Sequence, residues 1–312
     1  MQVGLELKRR AKARSRQLGR IRDIAQQWSA LDRYDGPEAL ELLVAWVRER
    51  FRFAGALRAI IGVSGGVDSS LVSCLLGRAM PKKTTGYLLP FGPEGVEERD
   101  AKRLLALLGI PARRIDLSPV FAAYAPLLSR SDPGAAGNLK TRLRTATLFH
   151  EAAVQKGLFV GTGDLDEGFV GYYTKGSGAD LSPIGSLHKN EVRALLRLAL
   201  WPLDKRFAKR MSEKPADAGL IPGRLAEDEL GVRYSEIARA IDVVLESCEL
   251  YEGGAAPRDL EVFAQSYARS GLDKATFLKV AELIARARHK AATPTLWRSE
   301  PALYSNWELE SE

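Results

Sequence analysis

Hydrophobic positions along this chain fall into two alternating kinds of run. Short apolar stretches bounded by glycine, proline or charge lie at residues 59–63, 84–89, near 113–117 and at 158–161, and each reads as a buried strand. Between them the apolar positions recur at helical spacing. Leu71, Val72, Leu75 and Leu76 follow the first run, Leu104, Leu105 and Leu108 follow the second, and a long helix over 139–156 precedes the fourth. Strand and helix alternating with connections of this length predict an α/β fold, a doubly wound parallel sheet covered on both faces. Upstream, one helix runs to about residue 29. A second opens after the Asp35-Gly36-Pro37 turn, with Pro37 at a first helical position and Leu40, Leu43, Trp46 and Val47 on one face. From about residue 193 the pattern is mostly helical, and it turns polar after Pro294.

Composition narrows the class. With 46% hydrophobic and 27% charged residues among 312, disorder, collagen and a small disulfide scaffold are excluded. Cys74 and Cys248 are far apart and match no metal-ligand spacing, so a reducing compartment is expected. No uninterrupted apolar stretch approaches the ~20 residues of a membrane span, and the basic N-terminus has no apolar block of the secretory kind. A cytoplasmic protein with no membrane partner is expected. The net charge of +7 is concentrated in residues 1–22, where Lys8, Arg9, Arg10, Lys12, Arg14, Arg16, Arg20 and Arg22 face one acid, Glu6. The remaining residues balance, 38 basic against 38 acidic. Basic arms bind polyanions, yet they are more often solvated helices or tails, so nucleic acid is not the expected partner.

The first candidate for chemistry is Ser64-Gly65-Gly66-Val67-Asp68-Ser69, between the first strand and its helix. Glycines there let backbone N–H groups approach an anion, and the helix N-terminus adds partial positive charge. A carboxylate beside a phosphate cradle makes sense if Asp68 holds Mg²⁺ against the phosphate oxygens. A plain capped turn is the duller reading; six residues in order between strand and helix weigh against it. No Lys-Ser/Thr pair follows the glycines, so this is not a Walker A loop.

The S-G-G-x-D-S run resembles the loop of the N-type ATP pyrophosphatases, whose fold is adenine nucleotide alpha hydrolase-like and which split ATP to AMP and pyrophosphate. Further segments resemble the NAD synthetases within that group. They are Gly137-Asn138-Leu139-Lys140-Thr141-Arg142-Leu143-Arg144, Gly161-Thr162-Gly163-Asp164-Leu165-Asp166-Glu167, Gly171-Tyr172-Tyr173-Thr174-Lys175 and Gly178-Ala179-Asp180-Leu181-Ser182-Pro183-Ile184. His188-Lys189, Lys214-Pro215 to Leu220, Glu229 to Tyr234, and His289-Lys290 follow in order. The resemblance covers roughly residues 37–295. That leaves a basic helical arm over 1–36 and a polar tail over 296–312.

The resemblance implies an ammonia-dependent ligase that adenylates the carboxylate of deamido-NAD and displaces AMP with ammonia. It implies ATP as cosubstrate, Mg²⁺ as cofactor and a homodimer. Residues 1–36 are too few for a glutaminase domain, which agrees with free ammonia. The implied ATP contacts are Gly62, Val63, Ser64, Gly65, Gly66, Val67, Asp68, Ser69, Thr162, Lys189 and Asp217. Asp68 and Glu167 are the implied metal ligands, and with Lys189 they form the implied catalytic set, Lys189 meeting charge on the departing pyrophosphate. Arg142, Lys175, Asp180, His289 and Lys290 match positions that contact deamido-NAD.

Taken singly, Lys189 reads as a solvated first-turn residue, Arg142 and Lys175 as surface charges, and Cys74 as a small buried hydrophobe. Three features depart from the family pattern. Gly176-Ser177-Gly178 is two residues shorter than its counterpart, Asp217 stands where a hydroxyl is expected, and residues 249–276 read as a helical insertion. Two rival classes follow: an RNA-modifying pyrophosphatase, which salt-dependent tRNA binding would reveal, and a non-catalytic nucleotide-binding homologue, which would release no pyrophosphate.

Overall fold

The computed structural model describes residues 2–31, 34–128, 132–217, 224–249 and 269–291, with side chains in the first helix from Arg16 onward. Two helices, α1 (Gln2–Ser29) and α2 (Pro37–Ala54), lead into strand β1 (Ala59–Gly62). Then come α3 (Val67–Ala79), β2 (Thr84–Leu88), α4 (Val96–Leu107), β3 (Ala112–Arg114) and α5 (Ser118–Tyr124), which runs into a short 3-10 turn, Ala125–Leu127. The long α6 (Pro133–Val154) precedes β4 (Leu158–Val160) and α7 (Leu165–Val170). Helices α8 (Lys189–Leu200), α9 (Lys205–Ser212), α10 (Ala226–Leu230), α11 (Tyr234–Glu249) and α12 (Lys274–Ala291) complete the described chain.

The strands form one parallel sheet in the order β3-β2-β1-β4, with Ala59 opposite Thr84 on one side and Leu158 on the other. Period-two alternation assigns each face its core. Ala59 and Ile61 of β1 join Leu71, Leu75, Val192 and Leu196 under α2, α3, α8 and α9. Ile60 points the other way, to Tyr87, Leu148, Ala152 and Phe159 under α6. The sheet is therefore doubly wound, as the alternation of runs requires. Its β3 edge is exposed and ends at Arg114, although Ile115 and Leu117 still donate to the carbonyls of Leu88 and Pro90 at 2.9 Å each.

A third core, Val170, Leu230, Ile237, Ile241, Phe277 and Val280, packs α7 against α10, α11 and α12. The basic arm is not a free tail over its described half. Ile21 of α1 is buried, Arg20 Nε donates to Glu49 Oε2 of α2 at 2.9 Å, and the Trp28 and Tyr34 rings stack at 4.8 Å. The expected insertion over 249–276 lies largely outside the described residues, as does the tail over 296–312.

Candidate active site

In the order β3-β2-β1-β4 the chain reverses its winding direction between β1 and β4. In open parallel sheets ligands collect at such a point, beyond the C-terminal strand ends. The two segments that leave there are Ser64–Ser69 after β1 and Gly161–Glu167 after β4, so topology alone brings Asp68 and Glu167 together.

Gly65 is needed in the first segment for two reasons. Its φ is +84°, and an added Cβ would stand 2.2 Å from the Glu97 carbonyl oxygen. Ser64 and Ser69 hydroxyls lie 3.0 Å apart, and Ser70 Oγ donates to the Gly66 carbonyl at 2.6 Å, which ties the loop to the first turn of α3. Lys214 Nζ donates to the Gly65 carbonyl at 2.9 Å and to Asp100 at 3.0 Å, and it also pairs with Glu97. In the second segment Asp164 and Glu167 form a reciprocal capping box at the start of α7.

The two segments close on Lys189. Its side chain is 0% exposed, and Nζ lies 2.8 Å from Asp68 Oδ1, 3.0 Å from Glu167 Oε1 and 3.0 Å from Asp164 Oδ2. The last contact is an ion pair without hydrogen-bond geometry, since Asp164 Oδ2 has no hydrogen-bond partner. The face of the Tyr234 ring stands 5.0 Å from the same ammonium. Lys189 is thus not the solvated first-turn residue that its isolated position permits.

Three carboxylates around one ammonium leave excess negative charge in a dry place. Burial, joined by repulsion from Asp68, pushes the Glu167 pKa up to about 7 against the pull of Lys189. Asp164 is raised as well, first by burial and then by Glu167. Burial works against the Lys189 charge, but Glu167, Asp68 and Asp164 outweigh it and hold the ammonium protonated.

Asp68 and Glu167 keep 21% and 20% of their side chains exposed, whereas Asp164 keeps none. Hard oxygen donors with an open edge, in a cluster short of positive charge, fit a divalent cation on their solvent side. Among the described residues no three His, Cys, Asp or Glu side chains are arranged to hold a metal by themselves, so other oxygens would have to complete the shell.

The residues expected to contact the second substrate form a separate neighbourhood. Arg142 of α6 is exposed, and its Nε donates to the Lys175 carbonyl at 3.2 Å. Asn138 accepts from the Thr174 hydroxyl at 2.6 Å, so α6 holds the turn through the shortened Gly176-Ser177-Gly178. Lys290 Nζ donates to the carbonyls of Gly171 at 2.7 Å and Tyr173 at 2.9 Å, and burial lowers its pKa. Asp180 spends one oxygen on the Phe159 amide at 2.8 Å, fastening its segment to β4. Thr162 follows β4, Asp217 is exposed just before residues 218–223, and the His289 side chain lies outside the described residues.

Sequence reading passed over Asp164, Asp166, His188, Lys214 and Tyr234 as site residues. The D-x-x-E capping box marked Asp164 as buried against its own helix start. Lys214 stood in a family-like segment, but nothing there pointed to a role at the loop, because its partners are the Gly65 carbonyl 149 positions away and the carboxylates of Glu97 and Asp100.

Known proteins resemble this chain in sequence and in fold. A family model described as NAD synthase matches residues 39–294. The NH(3)-dependent NAD(+) synthetase of Hyperthermus butylicus is 35% identical over 258 residues, 78% of this chain and 87% of that one. That of Methanosarcina mazei is 30% identical over 280 residues, 86% of this chain and 100% of that one. Among solved structures, NMN synthetase from Francisella tularensis superposes with a TM-score of 0.69 at 25% identity, covering 84% of this chain and 98% of that chain. NH3-dependent NAD synthetase from Campylobacter jejuni shares the fold with a TM-score of 0.65 at 22% identity, covering 83% and 97%.

Proposed function

The chain belongs to the NAD synthase family, and from that premise we propose that it is an ammonia-dependent ligase that turns deamido-NAD into NAD at the expense of ATP. The observation that carries this reading is the meeting of Asp68 and Glu167 on the Lys189 ammonium at the sheet's switch point, with the glycine loop opening beside them. The names of the relatives support ammonia as the nitrogen donor.

In the first half-reaction a carboxylate oxygen of the substrate attacks the α-phosphorus of ATP, and pyrophosphate leaves. In the second, ammonia attacks the acyl carbon, AMP leaves, and one proton is lost to solvent. The first backbone N–H groups of α3, residues 67–69, which have no partner inside their own helix, receive the phosphates, with Thr162 assigned to the nucleotide and Asp217 to the loop beside it. A Mg²⁺ ion held by Asp68 and Glu167 would supply charge neutralisation at the phosphates when bound. Lys189 fixes both carboxylates in orientation and sets a permanent positive charge beside the place where charge grows on the leaving group. Arg142, Lys175, Asp180 and Lys290 are assigned to the nicotinate dinucleotide, and the family match adds His289, whose side chain lies outside the described residues. No covalent enzyme intermediate is required.

The test is to mix the purified chain with ATP, Mg²⁺, ammonium and deamido-NAD, and to follow pyrophosphate and NAD together. Equimolar release of both is expected. The similarity to an NMN synthetase and the short Gly176–Gly178 turn make nicotinate mononucleotide the informative second substrate. Faster turnover of the mononucleotide would reassign the substrate while keeping the chemistry. No pyrophosphate with either would refute the ligase reading.

A further inference from the structure

One buried ion chain beside the site has no part in the reaction described above. Asp166, in the first turn of α7, is fully buried, yet neither of its oxygens bonds the Lys189 ammonium. Its Oδ2 accepts the Lys189 backbone N–H at 2.9 Å, and its Oδ1 lies 2.6 Å from His188 Nδ1. The opposite ring nitrogen, His188 Nε2, lies 3.0 Å from Asp242 Oδ1 on α11. Ionised carboxylates only accept, so both ring nitrogens carry hydrogen and the ring is an imidazolium. Burial opposes that charge, but the bonds to Asp166 and Asp242 prevail and raise the pKa to about 10.

The consequence is mechanical. The first N–H groups of a helix have no partner inside it, and a carboxylate there also suits the helix dipole. Asp166 serves this purpose for α8 from another helix, while the His188 backbone N–H is taken by Glu191 Oε2 at 2.7 Å. Helix α7 therefore grips Lys189 twice, at its main chain through Asp166 and at its ammonium through Glu167. His188 stretches this grip to α11, so three helices share one hydrogen-bonded line.

We propose that His188, clamped between Asp166 and Asp242, is a positioning residue that fixes where the Lys189 ammonium stands relative to Asp68 and Glu167. It touches no reacting atom and acts only through the first turn of α8.

The test uses the full chain and reads the Lys189 position directly, by acetic anhydride labelling followed by peptide mass spectrometry, with exposed Lys175 as the internal reference. In the wild type Lys189 should be protected. His188→Ala should raise its labelling about fivefold below the melting temperature, through local loosening of the α8 start. Asp242→Asn, which alters only the exposed end of the line, should raise it less. The double variant should label no faster than His188→Ala, because both changes cut one linkage. Unchanged Lys189 protection in Asp242→Asn, or additive effects in the double variant, would overturn the proposal.

A second arm rests on the ligase reading: kcat of His188→Ala should fall about tenfold, with the ATP KM within about twofold of wild type. A matching fall in Tm with kcat intact would mean the clamp serves stability alone and would also overturn it. A wild type that releases no pyrophosphate with either nucleotide, yet whose variants lose Lys189 protection, would refute the ligase reading and leave the positioning role standing.

Discussion

At the scale of the residue, the decisive quantity is the imbalance of three carboxylates against one ammonium. Glu167→Gln removes one surplus negative charge from a buried cluster whose pKa values already show the strain. It should raise the melting temperature by about 2 °C while nearly abolishing pyrophosphate release. Asp68→Asn should abolish release as well, and near-normal turnover with Mg²⁺ in either variant would contradict their assignment as metal ligands. His188 provides a pH signature of its own. Its native pKa of about 10 exceeds the ordinary 6.5, so its contribution to stability is complete below pH 6.5 and is lost as pH rises through 10. Thermal melts across that interval should decline, and His188→Gln should flatten the decline. Asp217 stands where the family pattern leads one to expect a hydroxyl. Asp217→Ser should raise the Mg²⁺ concentration needed for half-maximal rate if that carboxylate shares the cation, and an unchanged requirement with a lower ATP KM would point to plain repulsion.

At the scale of the element, the loop after β1 is held by close approach more than by its own bonds. Gly65→Ala would place a methyl group into the Glu97 carbonyl at a left-handed φ, and loss of both soluble yield and ATP binding is expected, measured by nucleotide titration. This loop was fully legible in the sequence, because strand, glycines and helix follow one another without interruption. So were β1, β2 and the amphipathic α2, whose apolar spacing is regular. What the sequence left dark were contacts across chain distance: Lys214 on the Gly65 carbonyl, Asp166 on the start of α8, and Tyr234 over the ammonium. Each pairs a common residue type with a partner that only folding chooses, and no periodicity encodes that choice. Asp180 shows the reverse case. Its motif is readable, while its bond to the Phe159 amide is a matter of sheet geometry.

At the scale of the whole molecule, charge and apolar surface divide the outside into regions with different roles. Val120 and Tyr124 of α5, Leu127 at 77% exposure and Phe149 of α6 are large apolar side chains left exposed. Arg142 lies two turns from Phe149 on the same helix, seven residues apart and hence on one face. We propose that this face meets a second copy and places Arg142 beside the shared substrate. Light scattering should find a dimer for the wild type and a monomer for Leu127→Asp, with NAD formation lowered in the variant, and an active monomeric wild type would contradict the arrangement. Deletion of residues 1–15 should leave turnover unchanged, because among the described side chains Arg20, Ile21 and Trp28 dock α1 on α2. Lost affinity for deamido-NAD in that variant would bring the arm into the substrate site.

The packing of α7 on α12 has a consequence for how the protein comes into being. An added Cβ at Gly171 would stand 2.6 Å from Ala287, and Lys290 closes two carbonyls at the end of α7, one of them 119 positions upstream. A ribosome releases the chain from one end at about 5–20 residues per second, so α7 waits roughly ten seconds for the helix that seats it. During that interval the sheet can form from β1 to β4, while Glu167 and Asp164 rest on a helix with one side unsupported. Competence for chemistry then comes late in synthesis, and a message cut short before α12 yields a sheet without a finished centre.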